Sequence, residues 1–315
     1  MKVPLAALAE EHGFSGVVLV TRGEETLVER AFGYAHLGYG VENTVDTRFA
    51  IASGVKGLTA LVVVGLVAEG RLALSTTARE VLGDDLPLID DRVTVEHLLT
   101  HTSGIGDYCD DDNPPEIPPW LVTSADHLAA LDGYPQVSVP GTEFRYHNGA
   151  FAVLGLIAER IAGIPFADLV RTRVTEPAGM TDTAFLRSDA LPARTATGYL
   201  EDGRTNVFSL PVVGFADGGI YSTAPDFRKF WPAFLDGRIV PREWVDRMLR
   251  PHADGYGLGF WLPRPGVVHL NGGDHGVTFW STHEPGSGLT ATLISNNHRG
   301  GGPLLGWLDE FFTKA

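Results

Sequence analysis

The sequence predicts an α+β fold: an antiparallel sheet formed by both termini, flanked by helices, with a helical subdomain beside it. Three observations carry this. Short β-rich runs stand at the two ends of the chain, helical patterns fill the stretch between them, and Pro- and Gly-rich connections lie around 114–119 and 135–141. Strands that open and close a chain bury their apolar faces by meeting in one sheet, and the intervening helices then cover it.

Taken in order, segments 16–20 and 26–32, separated by the polar stretch 21–25, read as a β-hairpin. The run 57–67 is almost wholly apolar and reads as a buried helix, and 150–157 reads as a second. Segments 256–262, 267–270, 277–281 and 289–295 are rich in β-branched and aromatic residues and read as further strands. A helix over 304–313 closes the chain. The whole of 1–315 forms a single unit, with a sheet subdomain of about 1–65 plus 205–315 and a helical subdomain of about 66–204. No internal repeat or low-complexity segment interrupts it.

Composition narrows the function. With 315 residues, 44% of them apolar, the chain has ample material for a full core. A formal net charge of −15 leaves no basic patch to meet phosphates, which argues against nucleic acid and anionic membrane surfaces as partners. Cys109 is the only cysteine, so an intramolecular disulfide is ruled out. The N-terminal apolar stretch is short and cut off by Glu10 and Glu11, unlike a signal peptide, and no other segment is long and apolar enough to span a membrane. The expectation is a cytoplasmic protein without membrane contact, acting on a small-molecule or short-peptide substrate. Nothing in the sequence sets an oligomeric state.

The most informative stretch is Ser53-Gly54-Val55-Lys56, directly before the apolar run. It sets a hydroxyl and an amine three residues apart, on one face of a helix and at its entrance. Serine is a poor nucleophile until a neighbour takes its proton. A lysine in apolar surroundings can do so, because desolvation disfavours its ammonium form. Lysine is also not the default cation here, since arginine outnumbers it twenty to four. A second signal is Tyr146-His147-Asn148, the only Tyr-x-Asn in the chain, set just before the second apolar helix. A phenol beside an amine can relay a proton between nucleophile and leaving group. The Asn148 amide can hold a substrate amide and fix the lysine.

Ser-x-x-Lys followed about ninety residues later by Tyr-x-Asn resembles the penicillin-recognising serine hydrolases. The match is to the branch that holds class C β-lactamases, D-alanyl-D-alanine peptidases and β-lactamase-like esterases. Further segments are similar to that branch: Phe49-Ala50-Ile51-Ala52, Leu98-Leu99-Thr100-His101-Thr102-Ser103-Gly104, Glu176-Pro177-Ala178-Gly179-Met180 and Asp217-Gly218-Gly219. The resemblance runs from about residue 14 to 298. It implies the β-lactamase/transpeptidase-like fold, with the site between sheet and helical subdomain.

The third motif departs from the family pattern, Lys-Thr-Gly or His-x-Gly on a strand lining the site. The corresponding stretch is Val268-His269-Leu270-Asn271-Gly272-Gly273-Asp274-His275-Gly276. Counted back from Gly276, the cationic position falls on Leu270; counted from the histidine, it falls on His269, and a one-residue bulge near the paired glycines would reconcile the two. Either way the backbone at Gly272 and Gly273 is expected near the substrate, one of its N–H groups joining that of Ser53 as an oxyanion hole. The resemblance implies that Arg299, just before the last helix, substitutes as a contact for a substrate carboxylate.

Other chemistry is set aside. His97 and His101 lack the glutamate that a zincin helix needs, no residues have metal-ligand spacing, and no phosphate-cradling or dinucleotide motif is present, so no metal and no cofactor are expected. Two functions remain open. One is a serine hydrolase working through an acyl-enzyme on an amide, β-lactam or ester carbonyl, with Ser53, Lys56 and Tyr146 catalytic and Asn148, His269, Gly272, Gly273 and Arg299 binding substrate. The other is a penicillin-binding or sensing module of the same fold that acylates without turnover.

Overall fold

The computed structural model describes residues 4–108, 119–298 and 301–313. At its centre is a six-stranded antiparallel sheet drawn from both ends of the chain. Across the sheet the order is Glu25–Phe32, Gly16–Arg22, Leu289–Ser295, Val277–Glu284, Val267–Asp274 and Trp261–Arg264. The first and last long strands meet in an unbroken register, from Gly16 opposite Ser295 to Arg22 opposite Leu289. Both are buried along almost their whole length; the first reads as a continuous apolar run over 17–20, whereas the last alternates apolar residues with the buried Thr290 and Thr292.

One face of the sheet is covered by the helices Leu5–Glu11 and Gly301–Thr313. Leu5, Ala9, Leu304, Leu308 and Phe312 cluster there with Val18, Val20, Ala291 and Leu293. The opposite face sends Val17, Leu19 and Ile294 into the main core, against the helices Val55–Ala68 and Ala224–Leu235. Helix Val55–Ala68 buries eleven of its fourteen residues, and only Gly65, Val67 and Ala68 are partly exposed. Two glycines set how closely it packs. A Cβ on Gly57 would lie 2.7 Å from the Leu270 side chain, and one on Gly259 would lie 2.2 Å from Ala60 Cβ.

The second apolar helix, Asn148–Ala162, lies against Val55–Ala68 and stops at Gly163 in a left-handed conformation. Its Gly155 admits the side chains of Phe215 and Ala216, since a Cβ there would approach Ala216 Cβ to 2.4 Å. A small three-stranded sheet pairs Phe49–Ala50 and Ala184–Phe185 with Ile220–Ser222. It brings the chain entering the Ser53 turn alongside the chain leaving the Asp217-Gly218-Gly219 segment.

Two expectations are corrected. Of the strand read over 256–262, only its last two residues, Trp261 and Leu262, lie in the strand Trp261–Arg264. Gly257 and Gly259 press the preceding backbone onto Met248 and the buried helix, with no room for a regular ladder. The bulge near the paired glycines is absent: Val267–Asp274 pairs with its neighbour in steady register from Val268 to Asp274. With alternation uninterrupted, Leu270 and Gly272 share one face of the strand, and His269 is on the other.

Candidate active site

Ser53 stands in a single 3-10 turn, Ala52–Gly54, immediately before helix Val55–Ala68. Ala52 has φ of 44°, a left-handed conformation that costs a non-glycine residue about 1–2 kcal/mol. The kink turns Ser53 into a cleft of about 1120 Å³ while Lys56 stays below its floor, only 2% exposed. Lys56 Nζ lies 2.9 Å from Ser53 Oγ, 2.7 Å from Asn148 Oδ1 and 2.7 Å from the Asp217 carbonyl oxygen. Its three directions are fully used.

Tyr146 presents its ring to the same amine, with Nζ 5.0 Å from the ring centroid. Neighbours hold that ring in place. Trp261 stacks on it at 6.1 Å and 13°, and His101 packs at 4.4 Å. His101 is wholly buried and accepts the His147 backbone N–H at Nδ1, 3.0 Å away. Burial first, then the charges of Lys56 and His147, hold His101 well below the ordinary histidine range, so it is neutral. Asn148 opens its helix without a capping side chain from the preceding residue. Instead the Asp107 carboxylate accepts the N–H groups of Asn148 at 2.7 Å and Gly149 at 2.9 Å. Tyr108 donates its hydroxyl to the Asp217 carboxylate, the residue whose carbonyl meets Lys56.

The strand Val267–Asp274 closes the other side. A Cβ on Gly272 would meet Ile51 O at 2.2 Å, Ser53 N at 2.9 Å and Gly54 N at 3.0 Å, so only a glycine lets the strand lie against the Ser53 turn. Gly273 faces open space and lines the cleft. His269 does not reach it. Its Nδ1 is 2.8 Å from Thr282 Oγ1, its ring lies against Trp280, and burial pushes it down to about 4. A neutral histidine on the far face cannot bind substrate, which corrects the sequence expectation. The cationic position is Leu270, seated on Gly57.

The structure thus brings Ser53, Lys56, Tyr146, Asn148, Gly272 and Gly273 to one place. Arg299 lies outside the described residues, as does Cys109. His101, Asp107, Asp217 and Trp261 were not assigned these roles from sequence. His101 and Asp217 do sit in the segments that carried the resemblance, whereas Asp107 and Trp261 do not. Among the described residues no three His, Cys, Asp or Glu side chains are grouped to hold a metal, and no single helix is long and apolar enough to cross a membrane.

A serine at a kinked turn, a buried lysine three residues on and a sheet from both termini define a serine hydrolase of the β-lactamase class. A family model described as Beta-lactamase matches residues 5–305, and the chain belongs to that family. It is 30% identical to penicillin-binding protein 4 of Amycolatopsis lactamdurans, over 98% of this chain and 86% of that protein. It is 34% identical to esterase EstB of Burkholderia gladioli, over 63% of this chain and 53% of the esterase. The fold is the β-lactamase/transpeptidase-like one. A penicillin binding protein from Bacillus halodurans superposes with a TM-score of 0.90 at 34% identity, covering 99% of this chain and 100% of that one. A D-amino acid amidase from Ochrobactrum anthropi superposes at 0.78 and 26%, covering 92% and 89%.

Proposed function

We propose that Ser53 is acylated by an ester or amide substrate and that water then releases the acyl group. The observation that carries this is the set of partners around Lys56. As a free amine, Lys56 has two N–H bonds, which go to the two carbonyl oxygens of Asn148 and Asp217. Its lone pair is then left facing Ser53 Oγ at 2.9 Å, in position to take the hydroxyl proton. Oγ attacks the carbonyl carbon, and the oxyanion forms beside the backbone N–H groups of Ser53 and the Gly272–Gly273 strand. Tyr146 passes the proton on to the leaving group. Asn148 keeps the amine aimed, and Asp107 keeps Asn148 at the first turn of its helix.

The substrate reading is favoured by what stands at the third motif. Leu270 supplies no charge and His269 faces away, so a penicillin or a peptide ending in D-alanine lacks a fixed cation on this strand for its carboxylate. Losing one charge-assisted bond costs about 1.5–3 kcal/mol, roughly ten- to a hundredfold in specificity. Esters and uncharged amides are therefore preferred to β-lactams. The test is hydrolysis of p-nitrophenyl butyrate, nitrocefin and a D-Ala-D-Ala peptide by wild type and Ser53→Ala, with intact-mass spectrometry after each incubation. A transient acyl adduct and highest kcat/KM on the ester, both lost in Ser53→Ala, are expected. Equal turnover by Ser53→Ala would remove the nucleophile assignment, and a lasting penicillin adduct without turnover would identify a binding module instead.

A further inference from the structure

Besides lacking the usual cation, the strand beside the nucleophile carries an acid. Leu270, Gly272 and Asp274 lie on one face of Val267–Asp274, because its pairing is unbroken. Leu270 packs on the buried helix, and Gly272 touches the Ser53 turn. Asp274 comes next on that face, two residues and about 7 Å further along. It lines the cleft together with Ser53.

The acids of the cleft are not equivalent. Asp107 accepts two helix N–H groups, and Asp217 accepts the Tyr108 hydroxyl. Among the described residues, Asp274 accepts only the neighbouring His275 N–H, at 2.8 Å on Oδ1. Its position is also fixed. The hairpin tip beyond it is held where Asn206 Nδ2 donates to His275 O at 2.8 Å and where Gly276 N donates to His298 Nε2 at 3.3 Å. Burial raises the Asp274 carboxyl above the ordinary range and the charge of Asp217 adds to that, while His275 and Lys56 pull it the other way. A cation entering the cleft stabilises the Asp274 carboxylate, and an anion destabilises it. Arg145 also lines the cleft, on the segment that carries Tyr146 rather than on this strand.

We infer that Asp274 sets charge selection in this active site: its carboxylate receives an ammonium or other cationic group of the substrate and turns carboxylate-bearing substrates away. This rests on the acyl-enzyme reading of Ser53 and names the substrate class within it. The partner chemistry is an amine-bearing ester or amide, such as an amino-acid amide with its amino group free.

Two matched substrate trios test this on the full chain. One carries charge on the acyl half: D-alanine p-nitroanilide with its amine free, acetylated or succinylated. The other carries charge on the leaving group: butyrate esters of choline, 3,3-dimethylbutanol and glycolate. The readout is the cation-to-anion ratio of kcat/KM within each protein, which cancels any common loss of activity or folding. In one trio at least, wild type should favour the cation by about tenfold or more, the scale of one charge-assisted contact. Asp274→Asn should bring that ratio near one, and Asp274→Lys should invert it. A wild-type ratio near one, a preference for the anion, or a ratio unchanged in Asp274→Asn would overturn the inference. So would a uniform fall on all members of a trio, which marks a carboxyl serving the chemistry rather than selecting charge. Failure of the acyl-enzyme reading shows separately, as hydrolysis of the neutral members that survives Ser53→Ala.

Discussion

Replacing Gly272 by alanine adds one methyl group at the tightest contact in the site. That carbon would stand 2.2 Å from Ile51 O and 2.9 Å from Ser53 N, against an ordinary contact of about 3.5 Å. The partners are backbone atoms of the nucleophile turn, so no side chain can swing aside. Strand and turn must part by about 1 Å, which is enough to cost about a hundredfold when reacting groups are misplaced. The loss of an aligned oxyanion donor falls in the same range, about 10²–10³ in kcat. Overpacking at one position costs about 1–3 kcal/mol of stability, so the fold should survive. The assay is steady-state p-nitrophenyl butyrate hydrolysis alongside urea unfolding. Gly286→Ala serves as the control, since a Cβ there meets nothing within 4 Å on a distant hairpin turn. Gly272→Ala should lose at least about a hundredfold in kcat/KM while remaining folded. Wild-type turnover by a folded Gly272→Ala protein would refute the idea that this strand and the Ser53 turn jointly stabilise the oxyanion.

Lys56→Met and Tyr146→Phe should each slow acylation by at least about a hundredfold, measured as the pre-steady-state burst, the scale of a lost general base. Wild-type bursts in both would move the proton transfers to other groups. Stability should fall as pH drops from about 6.5 toward 4, because His269 and His283 are pushed down to about 4 by burial and His101 is lowered as well. The unfolded chain binds those protons first, so the stabilisation is complete above pH ~6.5 and is lost on acidification. His269→Gln should flatten part of that slope in urea midpoints measured across the range; an unchanged slope would show that its burial has no titration consequence.

The strands Gly16–Arg22 and Leu289–Ser295 were legible because each is buried on both faces and rich in apolar and β-branched residues, and the catalytic pair was legible because a three-residue spacing is local. The third motif was not. Two registers fitted its letters equally, and the choice depends on whether the strand bulges, which is decided by its cross-strand pairing with Val277–Glu284 rather than by the motif's own letters. His269 therefore looked like a binding residue, although it faces Thr282. Asp107 and Trp261 were invisible for a related reason. Asp107 caps a helix that starts forty-one residues later, and Trp261 stacks on a tyrosine from another segment.

The sheet that joins the chain ends also determines when the site can exist. Ser15 and Asn296, 281 residues apart, are hydrogen-bonded neighbours, and the strand against the Ser53 turn begins only at Val267. During synthesis the nucleophile and its lysine emerge early but without an oxyanion wall, since the chain that supplies it has not yet been made. Closing a loop this long costs little more than closing one half its length, about 0.6 kcal/mol per doubling. Contacts of such range nonetheless form late and slow the search for the native state. Hydrolytic competence should thus arrive in one step with the last strands rather than build up with the helices, and the half-made protein should be inert toward the acyl groups around it.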